Sequence, residues 1–300
     1  MHITGLKVGH QTLHKSGLTV FLLEKPAPCG WCLCGAAPAM REVNLLDPEA
    51  SVEKIDALVF TGGSAFGLGA TNGVMRWLVD QDRGYPTRFG RVPIVPTAAI
   101  YDLSKNSAFP SVEDGYAACV QATSKPSKTG RVGAGMGATV GRLLQDARPM
   151  SGGIGYASVE AHGVQVVAYA LVNSLGDIVS SEGKIIAGAV NEKGHFANIE
   201  ESLKKGHHSH MTLPEPNTTL IALFTNASFD KAILTRLAKT ASCGIARAIR
   251  PAFTKYDGDA IFWTSLGEKK ADELLVSTLG IQATERAIYN AVADSSIHVD

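Results

Sequence analysis

The sequence predicts a mixed fold of the α/β or α+β class. Short runs rich in apolar and β-branched residues, such as 164–172 and 218–224, interleave with longer amphipathic stretches such as 229–250. Hydrophobic residues make up 45% of the 300 residues and charged residues 19%, which allows a sizeable core and argues against disorder. Spacing alone leaves the topology open.

Residues 18–23 and 57–61 are short, apolar and β-branched, and read as strands. Gly62, Gly63 and Ser64 end the second, and Ser64 can cap a helix over 66–79. Residues 93–101 read as a buried strand or strand-like loop, followed by a polar turn at 102–106. Helical spacing returns at 112–123, and 124–130 (SKPSKTG) is a loop. The run 164–172 is a strand entering a turn at 173–177, with another strand near 178–181. Residues 191–216 are the most polar stretch and read as an exposed connector. After it come a buried strand at 218–224, a long amphipathic helix at 229–250, a strand at 260–265 and a helical region at 269–293 that Gly280 interrupts. There is no internal repeat.

Lys plus Arg and Asp plus Glu number 28 each, so whole-chain charge gives no case for nucleic acid or an anionic membrane as partner. The opening MHITGLKVGH lacks a basic start followed by an apolar run, so no secretory signal is expected. The most apolar window, 164–172, is far short of a bilayer span. Five cysteines, three of them crowded at Cys29, Cys32 and Cys34, do not make a secreted disulfide framework. The expectation is a soluble, cytoplasmic protein.

Several segments suggest chemistry. Cys29, Cys32 and Cys34 could be a redox pair or half a zinc site, with His207, His208 and His210 as further ligands; small buried side chains near a strand are the favoured reading. The run from Gly130 to Ala138 lacks the strand before it and the acidic residue after it that a dinucleotide loop needs. Close approach of the backbone to a neighbouring strand is the better account of its glycines. Ser64, at a strand-to-helix turn, is the best conventional serine nucleophile, although Gly67 stands one place late and no histidine has an obvious acidic partner. Asp257 and Asp259 flank Gly258, as a turn or as a carboxylate pair able to tune a base, hold an amine or bind a metal.

Taken together and in order, these segments are familiar. They are GAAP at 35–38 with REVNLLDP at 41–48, LVFTGGSAFGL at 58–68, and VPIVP at 92–96 leading to Tyr101 and Asp102. Then come VGAG at 132–135 with GATVG at 137–141, SGGIG at 151–155, NTTL at 217–220, ARAIRP at 246–251, and Asp257-Gly258-Asp259. Over nearly its whole length the chain resembles the self-processing aminopeptidases of peptidase family S58. These include D-aminopeptidase/esterases, β-peptidyl aminopeptidases, pantetheine hydrolase and nylon-oligomer hydrolase.

The resemblance implies an N-terminal-nucleophile-like αββα sandwich, 1–300 as one domain, cut between Asn217 and Thr218 into fragments 1–217 and 218–300 that stay together. It implies Thr218 as nucleophile, with its freed α-amine as base. An amide nitrogen cannot serve as a base, whereas a free α-amine has a pKa of about 7.7–8.0, so the cut would create the catalyst. It implies Asn173 as a donor to the oxyanion, a contact worth about 3–4 kcal/mol. It implies Tyr101 in proton transfer or oxyanion binding, and Asp257 with Asp259 as orienters of the Thr218 amine. Arg142 stands where nylon-oligomer hydrolases are expected to carry lysine; being permanently charged it can supply charge support but no base. The substrate expected is a small peptide or related amide, and the mechanism calls for no metal or organic cofactor. A homo-oligomer, with a tetramer as one form, is implied as well. Two other outcomes stay open: acyl transfer to an amine, and an uncleaved homologue that binds a small amide without turning it over.

Overall fold

The computed structural model describes residues 3–105, 108–125, 128–144, 146–206 and 216–297. Its main elements are β1 (Leu6–Thr12), β2 (Gly17–Ala27), β3 (Cys29–Leu33), β4 (Ala39–Arg41), β5 (Ile55–Thr61), α1 (Thr71–Asp80), β6 (Thr97–Ala99) and α2 (Val112–Val120). They continue with β7 (Gly153–Ala161), β8 (Val164–Asn173), β9 (Thr218–Ala227), α3 (Lys231–Ala248), β10 (Ala260–Lys269) and α4 (Glu273–Ala291).

Two five-stranded sheets form, in the orders β1-β2-β5-β6-β4 and β7-β8-β9-β10-β3. Period-two side-chain alternation makes each strand two-faced, and in the central strands β5, β8 and β9 both faces are buried and largely apolar. Along β2, Leu18, Val20 and Leu22 join Val74 of α1 and Ala118 of α2 in one outer layer. Phe21 and Leu23 point the other way and meet Leu220, Ala222 and Phe224 of β9 between the sheets. Ile221 and Leu223 of β9 face Leu237 of α3 and Ala283 of α4 in the other outer layer. Helices on sheet, sheet on sheet and helices again make the αββα sandwich. Aromatic rings fill the middle, with Phe21 edge-on to Phe60 at 5.2 Å and tilted to Phe224 at 5.5 Å.

The topology decides where a site can form. β9 and β10 pair in parallel, joined by the crossover helix α3, so both begin at the same edge of their sheet. β8 pairs antiparallel with β9, and β3 antiparallel with β10, so both end at that edge. Asn173, Thr218, Asp259 and Cys34 therefore converge from four separate parts of the chain.

The structure corrects several boundaries. Residues 66–79 are not one helix: a short turn Ser64–Gly67 and a 3-10 turn Leu68–Ala70 precede α1. Ser64 does not cap α1, whose capping position is Ala70, and Ser64 lies inside the short turn that Gly63 precedes, with no side-chain capping bond at either. Within 93–101 only β6 is strand. The polar connector contains a helix, Ile199–Lys204, capped by Asn198, and its stretch 207–215 lies outside the described residues. Gly280 does not interrupt α4; a Cβ there would lie 2.0 Å from the Trp263 ring, so the glycine makes room for that indole. The expected helix from 269 starts later because β10 runs to Lys269. Strands β1, β3 and β7 had no clear apolar signal. In β7 that is because helix α4 presses on the strand backbone, where a Cβ on Gly155 would come within 1.9 Å of Ala287 O.

Candidate active site

Thr218 opens β9 and pairs in register with Asn173, the last residue of β8. Its side chain is shut in, with 3% of the residue exposed. The Thr218 hydroxyl donates to the carbonyl oxygen of Asn217 at 2.6 Å. The same oxygen accepts the Gly258 N–H at 2.7 Å. Asn217 N–H donates to Tyr256 O at 2.9 Å, and Asn217 forms a parallel bridge with Asp257. The peptide bond between Asn217 and Thr218 is thus clamped on both sides, its carbonyl polarised by a main-chain donor, with a hydroxyl beside it.

Gly258 is where the turn reading and the catalytic reading of Asp257-Gly258-Asp259 meet. A Cβ on residue 258 would stand 2.8 Å from Thr218 Oγ1 and 2.8 Å from Ala37 O. Only a glycine lets this backbone lie against the threonine hydroxyl.

The two carboxylates are buried and each is held by main-chain donors. Asp259 Oδ1 accepts Thr219 N–H at 2.6 Å and Oδ2 accepts Phe253 N–H at 3.2 Å. Asp257 Oδ2 accepts Thr254 N–H at 2.8 Å. Burial pushes both carboxyls up, and the neighbouring Asp257 charge pushes Asp259 further, to about 8. Two close carboxyls in a dry site therefore share less than two full charges at neutral pH, and a cation placed beside them would be strongly held.

Asn173 is fully buried. Its Oδ1 accepts Thr139 N–H at 3.0 Å and its Nδ2 donates to the main-chain carbonyl of Tyr101 at 3.1 Å. The bond to Tyr101 O fixes the amide so that nitrogen, the donor end, sits on the Tyr101 side. Tyr101 enters the site through its backbone; its side chain is half-buried. Next to it, burial raises the Asp102 carboxyl to about 6, against the Gly63 N–H that it accepts at 2.6 Å and the charge of Arg142. Arg142 is half-buried and lines a small recess with Lys15, Asp102, Arg131 and Thr139. Its charge favours the ionised form of Asp102.

The other candidates part from this site. Ser64 does adopt the left-handed backbone of a sharp elbow, with φ of 52°. Among the described residues no histidine bonds its hydroxyl. No group of three or more His, Cys, Asp or Glu able to hold a metal occurs among the described residues, and His207, His208, His210 and His298 lie outside them. In the glycine run, a Cβ on Gly135 would come within 2.4 Å of Ile154 N, the close strand approach expected there. No helix among the described residues is long and apolar enough to cross a membrane.

Three contributors were not anticipated: the Gly258 N–H, Thr139 and Asp102. Thr139 and Gly258 act through backbone N–H groups, which side-chain identity does not advertise. Asp102 was seen in a polar turn and at the end of the segment leading to Tyr101, with no role of its own.

Comparison with known proteins identifies the family and the fold. The family model described as peptidase family S58 matches residues 1–298. A protein from Mycobacterium leprae named as an uncharacterized aminopeptidase is 36% identical over 294 residues, covering 90% of this chain and 78% of its own. A 6-aminohexanoate-oligomer endohydrolase from Kocuria sp. is 29% identical over 252 residues, covering 80% of this chain and 67% of its own. The structure of L-aminopeptidase D-Ala-esterase/amidase from Ochrobactrum anthropi, described as a variant of the Ntn hydrolase fold, superposes with a TM-score of 0.73 at 20% identity. That superposition covers 97% of this chain and 84% of the other. With its αββα sandwich and a match along nearly its whole length, the chain belongs to peptidase family S58, the hydrolases of amide bonds built on an Ntn-type fold.

Proposed function

We propose that the chain cuts itself between Asn217 and Thr218 and then hydrolyses small peptides or related amides through a Thr218 acyl-enzyme. One observation carries the reading: the buried Thr218 hydroxyl and the Gly258 N–H both meet the Asn217 carbonyl oxygen, at 2.6 and 2.7 Å. In the first event the Thr218 oxygen attacks the Asn217 carbonyl carbon and its proton passes to the Thr218 nitrogen as the C–N bond breaks. An ester forms. Gly258 N–H steadies the oxyanion on the way. Water then opens the ester, releasing the Asn217 carboxylate and the Thr218 hydroxyl, with the Thr218 amine already freed in the first step.

The new amine lies beside Asp257 and Asp259, and its charge favours their ionised forms. As a neutral base it takes the proton from the Thr218 hydroxyl when a substrate carbonyl arrives, and as an acid it delivers that proton to the leaving amine. Asn173 lies across the ladder from Thr218 and is the side-chain donor nearest in register for the substrate oxyanion. Asp102 and Arg142 support the Tyr101 side of the site. The names of the relatives point to amides of aminoacyl and aminohexanoyl groups as the first substrates to try.

A second reading rests on the burial of Thr218: in the uncut chain its hydroxyl is closed to solvent, as in an uncleaved binder. Turnover of a panel of aminoacyl amides and 6-aminohexanoate oligomers separates the two. The catalytic reading expects hydrolysis that Thr218→Ala abolishes and Ser64→Ala leaves intact. Loss with Ser64→Ala alone, or binding of amides without turnover by fully processed protein, refutes it. Transfer products on adding free amines would show that an amine competes with water for the acyl-enzyme.

A further inference from the structure

Three of the five cysteines lie on or just after β3, and the catalytic account uses none of them. Residues two apart on a strand share a face. Cys32 and Cys34 both turn toward the layer under α3 and are half-buried there, with their sulfurs 3.7 Å apart. Cys29 and Cys119 are buried, and burial pushes both thiols up to about 12. Cys32 goes the other way, to about 7: a hydrogen bond from the Cys34 thiol and the charge of Lys239 outweigh its partial burial. Cys34 is raised by that same hydrogen bond and by burial. The two sulfurs lie within reach of each other, with Cys32 the more acidic, the arrangement of an attacking and a resolving thiol.

We propose that Cys32 and Cys34 are a dithiol that low-molecular-weight disulfides oxidise to an intrastrand disulfide, and that its closure switches the neighbouring site off. The second half rests on the catalytic reading above; the first does not.

The chemistry balances. The Cys32 thiolate attacks one sulfur of the external disulfide, forming a mixed disulfide and expelling one thiolate. Cys34 then loses its proton to solvent, and its sulfur attacks Cys32 Sγ and expels the second thiolate. Two protein thiols are oxidised and one external disulfide is reduced to two thiols.

Geometry permits the bond and makes it consequential. Two strand steps span about 6.6 Å, at the upper end of the roughly 4.4–6.8 Å that a disulfide tolerates between Cα atoms. The sulfurs must close from 3.7 Å to about 2.05 Å, so the strand end has to shorten. That end is fastened to the active-site turn: Cys34 N–H and Gly35 N–H donate to Asp259 O at 2.8 and 3.1 Å, and Ala37 N–H donates to Asp257 O at 2.9 Å. Gly35 lies so close to Asp257 that a Cβ on it would stand 2.1 Å from the Asp257 carbonyl oxygen. The strand end cannot shift without carrying Asp259, which holds Thr219 beside the nucleophile.

The test treats the full-length enzyme with glutathione disulfide, follows thiol content and intact mass after alkylation, and assays turnover before and after dithiothreitol. The expected result is loss of two alkylatable thiols and of the mass of two hydrogens, mapped to the peptide carrying Cys32 and Cys34. Turnover should fall about 100-fold, in keeping with displacement of a site by an ångström or more, and return with dithiothreitol. Cys32→Ser, backed by the alanine variant, should stay active under oxidant, Cys34→Ser should stop at the mixed disulfide on Cys32 and gain the mass of one glutathione there, and Cys243→Ser should keep the response. A dithiol that stays unlinked, or links to Cys243 instead, overturns the proposal. Linkage with unchanged turnover overturns the switch and leaves the catalytic reading standing. An enzyme inactive even when reduced defeats the catalytic reading, and the mass measurement then still decides the dithiol.

Discussion

Gly258→Ala is the substitution that most directly perturbs the geometry around the Asn217–Thr218 bond. Residue 258 has no left-handed backbone among the positions where φ is positive, so alanine is acceptable to the chain itself. The conflict is spatial. The new Cβ would sit 2.8 Å from Thr218 Oγ1, 2.8 Å from Ala37 O and 3.2 Å from Pro38 Cα, where ordinary contact begins at 3.4 Å. Relief needs a displacement of 3.4 − 2.8 = 0.6 Å between residue 258 and the hydroxyl. Overpacking of this kind costs about 1–3 kcal/mol of stability. A misplacement of about 1 Å costs about 100-fold in rate and loss of one oxyanion donor about 100- to 1,000-fold, so the smaller shift should slow self-cleavage about 10- to 100-fold. The assay follows loss of the intact chain by mass spectrometry, with a urea melt as control for folding. A folded Gly258→Ala protein that cuts at the wild-type rate would refute the claim that this N–H and this hydroxyl act together on the Asn217 carbonyl.

Three more outcomes follow from the same geometry. Asn173→Asp keeps the acceptor for Thr139 N–H but sets a carboxyl oxygen against Tyr101 O in place of the donor, so kcat should fall about 100- to 1,000-fold and the buried carboxyl should also lower thermal stability; an unchanged kcat excludes Asn173 from oxyanion binding. In uncut Thr218→Ala protein, native Asp259 holds its proton up to about 8, whereas the unfolded chain releases it near 3.8. The carboxyl therefore costs stability as pH rises between those values. From pH 6.5 to 8, stability relative to Asp259→Asn in the same background should fall by on the order of 2 kcal/mol, with the opposing change at Cys32 common to both proteins; parallel urea curves would refute it. Gly280→Ala drives a methyl to 2.0 Å from the Trp263 ring and should lower the urea midpoint by the equivalent of about 1–3 kcal/mol or more, which an unchanged midpoint contradicts.

Much of this was legible from residue type. The run ending in Asn173 and the run starting at Thr218 read as strands because both faces of β8 and β9 are buried and β-branched residues suit that setting. Their pairing was not legible, because register is set by packing between distant segments. The resemblance supplied the residues of the site, and the structure brings Thr218, Asn173, Asp257 and Asp259 to one sheet edge and Tyr101 to it by its backbone. The hidden contributors were main-chain groups and the hydrogen-bond state of side chains: nothing in the letters distinguishes Cys32 from Cys29, yet one sulfur meets a neighbouring thiol and the other is sealed in the core. Gly280 misled because glycine lowers helix propensity, while here tertiary packing against an indole decides.

The central claim is that this chain makes its own nucleophile. Intact mass under denaturing conditions, with N-terminal sequencing of the smaller fragment, tests it most directly. The account predicts a fragment beginning Thr218-Thr219-Leu220 that is absent from Thr218→Ala protein. A folded chain that remains whole on long incubation, or a fragment that begins at any other residue, would contradict it.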